Sequence, residues 1–307
     1  MAIRYAYLGP QGTFAEQALR SMPPAPDAVF LPQPSVPAAL IAVRDGDADA
    51  AVVPFENSVE GSVASTLDEL ANGAPLLIAA EIFLPVSFAL LVRDGTAAAR
   101  VKTVATHPHA EAQCRRWLRE TLPDAEVVLV GSTSAGAAGV AEGQYDAAIS
   151  APIAAQTYGL AALFTDLADN PGAVTRFVVL TRPGPLPPRT GRDRTTLVAY
   201  IRDNHTGALL EVLTEFAVRG INLTRIESRP TKERLGQYCF SLDCEGHLAD
   251  ARVGDALAAL HRVCADVRFL GSYRRADRAE PAALRTGSAD ADFAAAQDWL
   301  REQFHGA

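Results

Sequence analysis

Residues 181–193 read Thr-Arg-Pro-Gly-Pro-Leu-Pro-Pro-Arg-Thr-Gly-Arg-Asp, with four prolines and two glycines. Proline donates no backbone N–H and its ring blocks a continuing helix, so this run can neither join a sheet ladder nor extend a helix. The chain must fold on either side of it. Its 307 residues suit two units, since a compact domain takes roughly 150.

Charge divides at nearly the same place. The first 183 residues hold 11 basic and 19 acidic side chains, and the rest holds 17 of each, so the net charge of −8 falls on the first unit. An acidic chain with no basic run lacks the electrostatic footprint of a protein that binds nucleic acid or an anionic membrane. A hydrophobic fraction of 49% argues against disorder. Met-Ala-Ile-Arg-Tyr at the start enters an alternating strand with no signal-peptide layout. The apolar stretch Leu76 to Val92 contains Glu81 and Pro85, which predicts two buried strands and not a membrane span. Cys114, Cys239, Cys244 and Cys264 form no C-x-x-C pair, so neither a zinc site nor a disulfide framework is indicated. A cytoplasmic protein with reduced thiols is expected.

Before the linker, short apolar runs alternate with helix-like segments. Strands are expected at Tyr5–Leu8, Ala50–Val53, Lys102–Ala105, Val127–Leu129, Ala147–Ile149 and Phe177–Leu180. Helices are expected at Thr13–Ser21, Ser62–Ala71 (capped by Ser62), Ala110–Glu120, Ala135–Glu142 and Ala151–Tyr158. That order implies parallel sheets with helices packed on them. After the linker, strand Thr195–Ile201, helix Gly207–Arg219, strands Leu223–Arg229 and Gln237–Cys244, helix Ala251–His261 and strand Val267–Tyr273 give a ferredoxin-like β-α-β-β-α-β order. A polar tail, 274–307, carries one helix, Ala291–Phe304.

Open α/β sheets bind ligands beyond the carboxyl ends of their strands, where loops lead into helix N-termini. Four polar clusters occupy such junctions: Glu56-Asn57-Ser58, Thr106-His107, Ser132-Thr133-Ser134 and Thr175-Arg176. Hydroxyls, amides and free N–H groups there suit a small carboxylate-bearing molecule, and Arg176 adds a planar fork that grips a carboxylate or braces a loop. His107 and His109 have no third ligand at metal spacing. There is no G-x-G-x-x-G opening a βαβ unit, no P-loop and no nucleophile elbow. The residues alone define a binder of small anions.

Tyr7-Leu8-Gly9-Pro10-Gln11-Gly12-Thr13-Phe14, Val53-Pro54-Phe55-Glu56-Asn57-Ser58 and Thr175-Arg176-Phe177 closely resemble prephenate dehydratases. So do Gly207-Ala208-Leu209-Leu210 and Ile221 through Pro230 in the second unit. The resemblance implies a two-lobed, periplasmic-binding-protein-like (type II) α/β catalytic domain over 1–182. Lobe one would be about 1–80 and 160–182, and lobe two about 81–159. The 183–193 linker and an α+β ferredoxin-like ACT regulatory domain over 194–273 follow. It implies conversion of prephenate to phenylpyruvate, water and CO2 with no metal or organic cofactor, and phenylalanine as feedback inhibitor. It also implies a homo-oligomer, a dimer through its ACT domains or a tetramer.

By the same resemblance Thr175, Glu56 and Arg176 are catalytic. Asn57, Ser58, Phe177, Thr13, Thr106, His107, Gln113, Ser132 and Thr133 contact substrate. Gly207, Ala208, Leu209, Leu210, Asn222, Leu223, Glu227, Ser228, Arg229 and Pro230 serve the effector. Glu56 would be the proton source if the cleft desolvates it. Three positions depart from the family pattern: His109 where Gln is usual, Glu111 where Leu is usual, and Ala173 where Asn is common. The alternatives are an arogenate dehydratase and a non-catalytic amino-acid sensor.

Overall fold

The computed structural model describes residues 2–23, 27–232, 237–277, 279–280 and 282–305. Contacts divide the chain into Met1–Thr66 with Ile82–Val179, and Leu67–Glu81 with Leu180–Ala307.

The chain before the linker forms two sheets, with Leu67–Glu81, most of its third helix and the first half of its fifth strand, counted in the second unit. Strands β1 (Arg4–Leu8), β2 (Val29–Gln33), β3 (Ala50–Asn57), β4 (Gly61–Ser62), β5 (Leu77–Pro85) and β11 (Val174–Thr181) form lobe one in the order β2-β1-β3-β11-β5, with β4 beside β3. Helices α1 (Phe14–Ser21), α2 (Val36–Asp45) and α3 (Ala64–Asn72) belong to this stretch. Strands β6 (Ala89–Val92), β7 (Thr103–Thr106), β8 (Glu126–Leu129), β9 (Ala147–Ser150) and β10 (Ala161–Phe164) form lobe two in the order β10-β6-β9-β7-β8. Its helices are α4 (Pro108–Thr121), α5 (Thr133–Ala141) and α6 (Ile153–Tyr158). The chain crosses from one sheet to the other after β5 and returns before β11, the double crossing of a periplasmic-binding-protein-like fold.

Lobe two buries both faces of its sheet. Leu90, Val92, Val104 and Ile149 pack with Cys114 and Leu118 of α4 on one side. Leu91 and Ala148 pack with Ala137 and Val140 of α5 on the other. Burial on both faces explains the near-continuous apolar strands Ala89–Val92 and Ala147–Ile149.

Three expectations need correction. The sheets are mixed, because β6 runs antiparallel to both β9 and β10. Ala161–Phe164, grouped with lobe one from sequence, pairs with β6 in lobe two. Ser62 does not cap a helix: it sits in β4 opposite Glu56, and α3 begins two residues later.

In the second unit, β12 (Asp193–Tyr200), α7 (Ala208–Ala217), β13 (Leu223–Pro230), β14 (Tyr238–Glu245), α8 (Ala251–Val263) and β15 (Asp266–Arg274) build an antiparallel sheet in the order β13-β14-β12-β15. Leu197, Ala199, Phe240 and Leu242 meet Val212 and Phe216 of α7 and Val253, Ala256 and Leu260 of α8. That is the ferredoxin-like α+β arrangement. Helix α9 (Asp290–His305) follows in the tail. Among the described residues no helix is long and apolar enough to cross a membrane.

Candidate active site

A cavity of about 1230 Å³ opens between the two lobes of the first unit. Its walls include Gln11, Thr13, Phe14, Asn57, Ser62 and Ser65 from lobe one, Thr175 and Phe177 from β11, and His107, His109, Gln113, Ser132, Thr133 and Tyr158 from lobe two. Glu60 is the single carboxylate on the wall, and no Lys or Arg lines it among the described residues.

Alternation along two neighbouring strands selects which polar residues face this space. Side chains in an extended strand point to opposite faces in turn. Asn57 of β3 and Thr175 and Phe177 of β11 line the cavity, whereas Glu56, Ser58 and Arg176 do not. Arg176 is buried, its guanidinium lies 4.8 Å from the centre of the Phe55 ring, and it faces Glu56 at 3.7 Å. Arg176 does not line the cavity; it pairs with Glu56 and lies over the Phe55 ring, both on β3. Over a third of the Glu56 side chain is exposed, and it lies off the cavity wall. Ser58 accepts from the Val174 amide at 2.9 Å and its own amide donates to the Val174 carbonyl, which fixes the backbone just before Thr175. Thr106 is fully buried and donates to the Ile149 carbonyl, inside the lobe-two sheet.

Asn57 and Thr175 form the central contact. The Asn57 side-chain oxygen accepts from the amides of Val59 and Glu60, at 2.8 and 3.1 Å. Its amide nitrogen must therefore point the other way, and it donates to the Thr175 hydroxyl oxygen at 2.8 Å. A hydroxyl that accepts at its oxygen keeps its own hydrogen to donate. That hydrogen has no acceptor among the described residues, and Thr175 is only 8% exposed.

Lobe two contributes helix starts. His107 caps α4, its Nδ1 accepting from the His109 amide at 3.3 Å. Burial, with the charge of neighbouring His109, pushes the His107 pKa below its ordinary value. The ring is thus neutral at pH 7, with its proton on Nε2 by the pattern of its bonds. Ser132 caps α5, accepting from the Ala135 amide at 3.0 Å. Thr13 caps α1 across the cleft. Three helix N-termini, with their unpaired N–H groups, bear on one cavity, which is where an anion is stabilised. The Gln113 side-chain oxygen is buried without a partner among the described residues.

Gln11, Phe14, Ser62, Ser65, His109 and Tyr158 line the cavity but were not assigned to the site from sequence. Tyr158 precedes a left-handed Gly159 at the end of α6; that glycine was the available signal.

In the second unit a smaller cavity of about 270 Å³ brings together Gly207, Ala208, Leu209 and Leu210 at the start of α7 with Ser228 of β13. Gly207 holds a left-handed φ of 95°, which a side chain would strain. Asn222, Leu223, Glu227, Arg229 and Pro230 lie outside its lining. Arg229 instead binds Asp68 at 2.7 Å.

A double-crossed α/β domain whose interlobe cleft carries a few convergent polar groups, followed by a ferredoxin-like module, defines a two-domain protein with a small-molecule cleft. Comparison with known proteins makes the class specific. The prephenate dehydratase family model matches residues 5–185 and the ACT domain model residues 195–262. A prephenate dehydratase of Amycolatopsis methanolica is 52% identical over 97% of this chain and 96% of its own length. A crystal structure of prephenate dehydratase from Arthrobacter aurescens in complex with L-Phe is 50% identical, with a TM-score of 0.94 over 99% of this chain and 100% of that one. The chain belongs to the prephenate dehydratase family and carries its ACT domain. A quorum-quenching acylase also shares the fold, at 31% identity and a TM-score of 0.80 over 89% of this chain and 98% of that one, so the fold by itself does not dictate the reaction.

Proposed function

We propose that the cleft binds prephenate and converts it to phenylpyruvate, water and CO2. The ring carboxylate leaves as CO2, its bonding electrons enter the ring, and the C–O bond across the ring breaks as the ring becomes aromatic. The departing hydroxide takes up a proton from solvent water and leaves as water. The substrate supplies the driving force, so the protein must orient it, hold two carboxylates and stabilise charge on the leaving oxygen.

The free hydrogen of Thr175 carries this reading. A threonine hydroxyl is too weak an acid to surrender its proton outright. Held by Asn57, it donates a hydrogen bond that strengthens as negative charge grows on the leaving oxygen. The carboxylates are held by the N-termini of α1, α4 and α5, by Ser132 and Thr133, and by the Nε2–H of His107. Neutral donors do this work in an acidic domain without a cation on the wall.

Phenylalanine binds the 194–273 module, its carboxylate toward the Gly207 start of α7 and Ser228 opposite. It acts as feedback inhibitor in a homo-oligomer joined through these modules. Residues 1–182 form the catalytic domain, 183–193 the linker and 274–307 the tail.

Steady-state assays of the full chain on prephenate and on arogenate, each with and without phenylalanine, test this. Phenylpyruvate release from prephenate, suppressed by phenylalanine, is expected. Preference for arogenate makes the chain an arogenate dehydratase, and phenylalanine binding with turnover of neither makes it a sensor.

A further inference from the structure

One peptide unit in the cleft is held from both lobes at once. The Gln11 carbonyl, on the loop that leaves β1 of lobe one, accepts from Ser134 Oγ of α5 and, at 2.9 Å, from Tyr158 Oη of α6, both in lobe two. The two hydroxyls are 3.1 Å apart. Two hydroxyl hydrogens cannot serve three contacts together, and the carbonyl's two lone pairs accommodate one from each. Ser134 is fully buried, so its bond is made out of water.

The other end of the same peptide is the Gly12 amide. It donates at 2.7 Å to Glu16, a carboxylate only 4% exposed that Arg20 neutralises through two contacts of 2.7 and 2.9 Å. An acceptor pulling on the N–H and donors pulling on the C=O polarise one peptide in the same sense, which strengthens each bond. Gly12 holds a φ of +79°, and an added Cβ would sit 3.0 Å from Ser134 Oγ and 3.1 Å from the Tyr158 ring. No side chain fits at this crossing.

We propose that the Gln11–Gly12 peptide is a latch that holds the two lobes closed on the substrate, with Ser134 and Tyr158 as its positioning residues. Both act through the carbonyl of Gln11 and need not touch the reacting atoms. Opening the latch lowers the closed fraction of the free enzyme. Apparent affinity then falls in proportion, while chemistry in the closed complex is retained.

The test uses the full chain carrying Tyr158→Phe, Ser134→Ala and both together. It builds on prephenate turnover for its kinetic arm. Each single variant leaves one hydroxyl on the carbonyl and raises KM for prephenate two- to fivefold. The pair raises it at least tenfold while kcat falls less than threefold, and Ser134→Thr restores the wild-type KM. A double variant with KM within twofold of wild type, or with its loss confined to kcat, overturns the latch. Hydrogen exchange gives a readout that needs no turnover. The Gly12 amide should exchange at least tenfold faster in the double variant, and unchanged exchange overturns the proposal. If the wild-type chain fails to consume prephenate, the functional reading falls, and the exchange comparison still decides the latch.

Discussion

In the cleft, Asn57 donates to Thr175, and Ser134 and Tyr158 to a backbone carbonyl. No Lys or Arg lines the cavity among the described residues. In the C-terminal unit, guanidinium groups do the holding. Arg225 meets Asp243 at 3.1 Å with 7% and 0% of their side chains exposed. Arg194 joins Glu81 and Asp277, and Arg275 joins Glu245 and Asp277. Buried ion pairs fix geometry at little net gain in stability, but removing one partner strands the other. On the proposed function, neutral donors leave the cleft free to take up the substrate's own charges. The C-terminal unit should therefore fail by unfolding, and the cleft by losing turnover.

Asp243→Ala should show the largest effect. It strands Arg225 and removes the acceptor of the Thr196 hydroxyl at 2.8 Å, at a cost of about 3–5 kcal/mol. Urea denaturation measures it, and a loss under about 1 kcal/mol would erase the contrast. In the cleft, Asn57→Asp keeps the oxygen that receives the Val59 and Glu60 amides but turns the neighbour of Thr175 from donor to acceptor. The threonine hydrogen is then drawn away from the substrate, and kcat should fall about 100-fold with little change in melting temperature.

Acid titration sharpens the comparison. Burial opposes ionisation of Asp68, but Lys232 and Arg229 outweigh it and hold the carboxyl below the ordinary 3.8. Asp277 is held down in the same way by Arg275 and Arg194 against burial. A depressed carboxyl contributes stability that is complete above the unfolded value and lost as pH falls through the folded one. These two terms therefore persist at neutral pH and vanish only below 3.8. His107 is also depressed, from 6.5, by burial and His109, so its contribution is complete above 6.5 and fades as pH falls below that. Melting curves from pH 8 to 3 should show two windows, and His107→Asn should remove only the upper one. The smallest effect belongs to the surface. Arg115 is 60% exposed beside Glu111 on α4, and Arg115→Ala should leave both turnover and melting temperature unresolved from wild type.

Much of this was legible in the sequence. The second unit's six elements followed from periodicity, because its helices and strands each carry one buried face. Edge strand β2 was missed because Pro32 interrupts its apolar run, a residue that only an edge tolerates. Helix α2 was missed because it is apolar nearly all round between Ser35 and Gly46. At the site, the strand-end clusters were visible, but the faces were not assigned. Period-two alternation was enough to separate Asn57 from Glu56 and Ser58, and Thr175 from Arg176. The pairings Ser134–Gln11 and Glu56–Arg176 depend on tertiary folding, which no local pattern encodes.

The most direct measurement is kcat on prephenate for Thr175→Val beside Thr175→Ser, each with its melting temperature. Valine keeps the shape and removes the hydroxyl, so kcat should fall about 100- to 1,000-fold without loss of fold. Serine keeps the hydroxyl within reach of Asn57 and should stay within about tenfold of wild type. A valine variant that turns over prephenate near the wild-type rate would contradict the account.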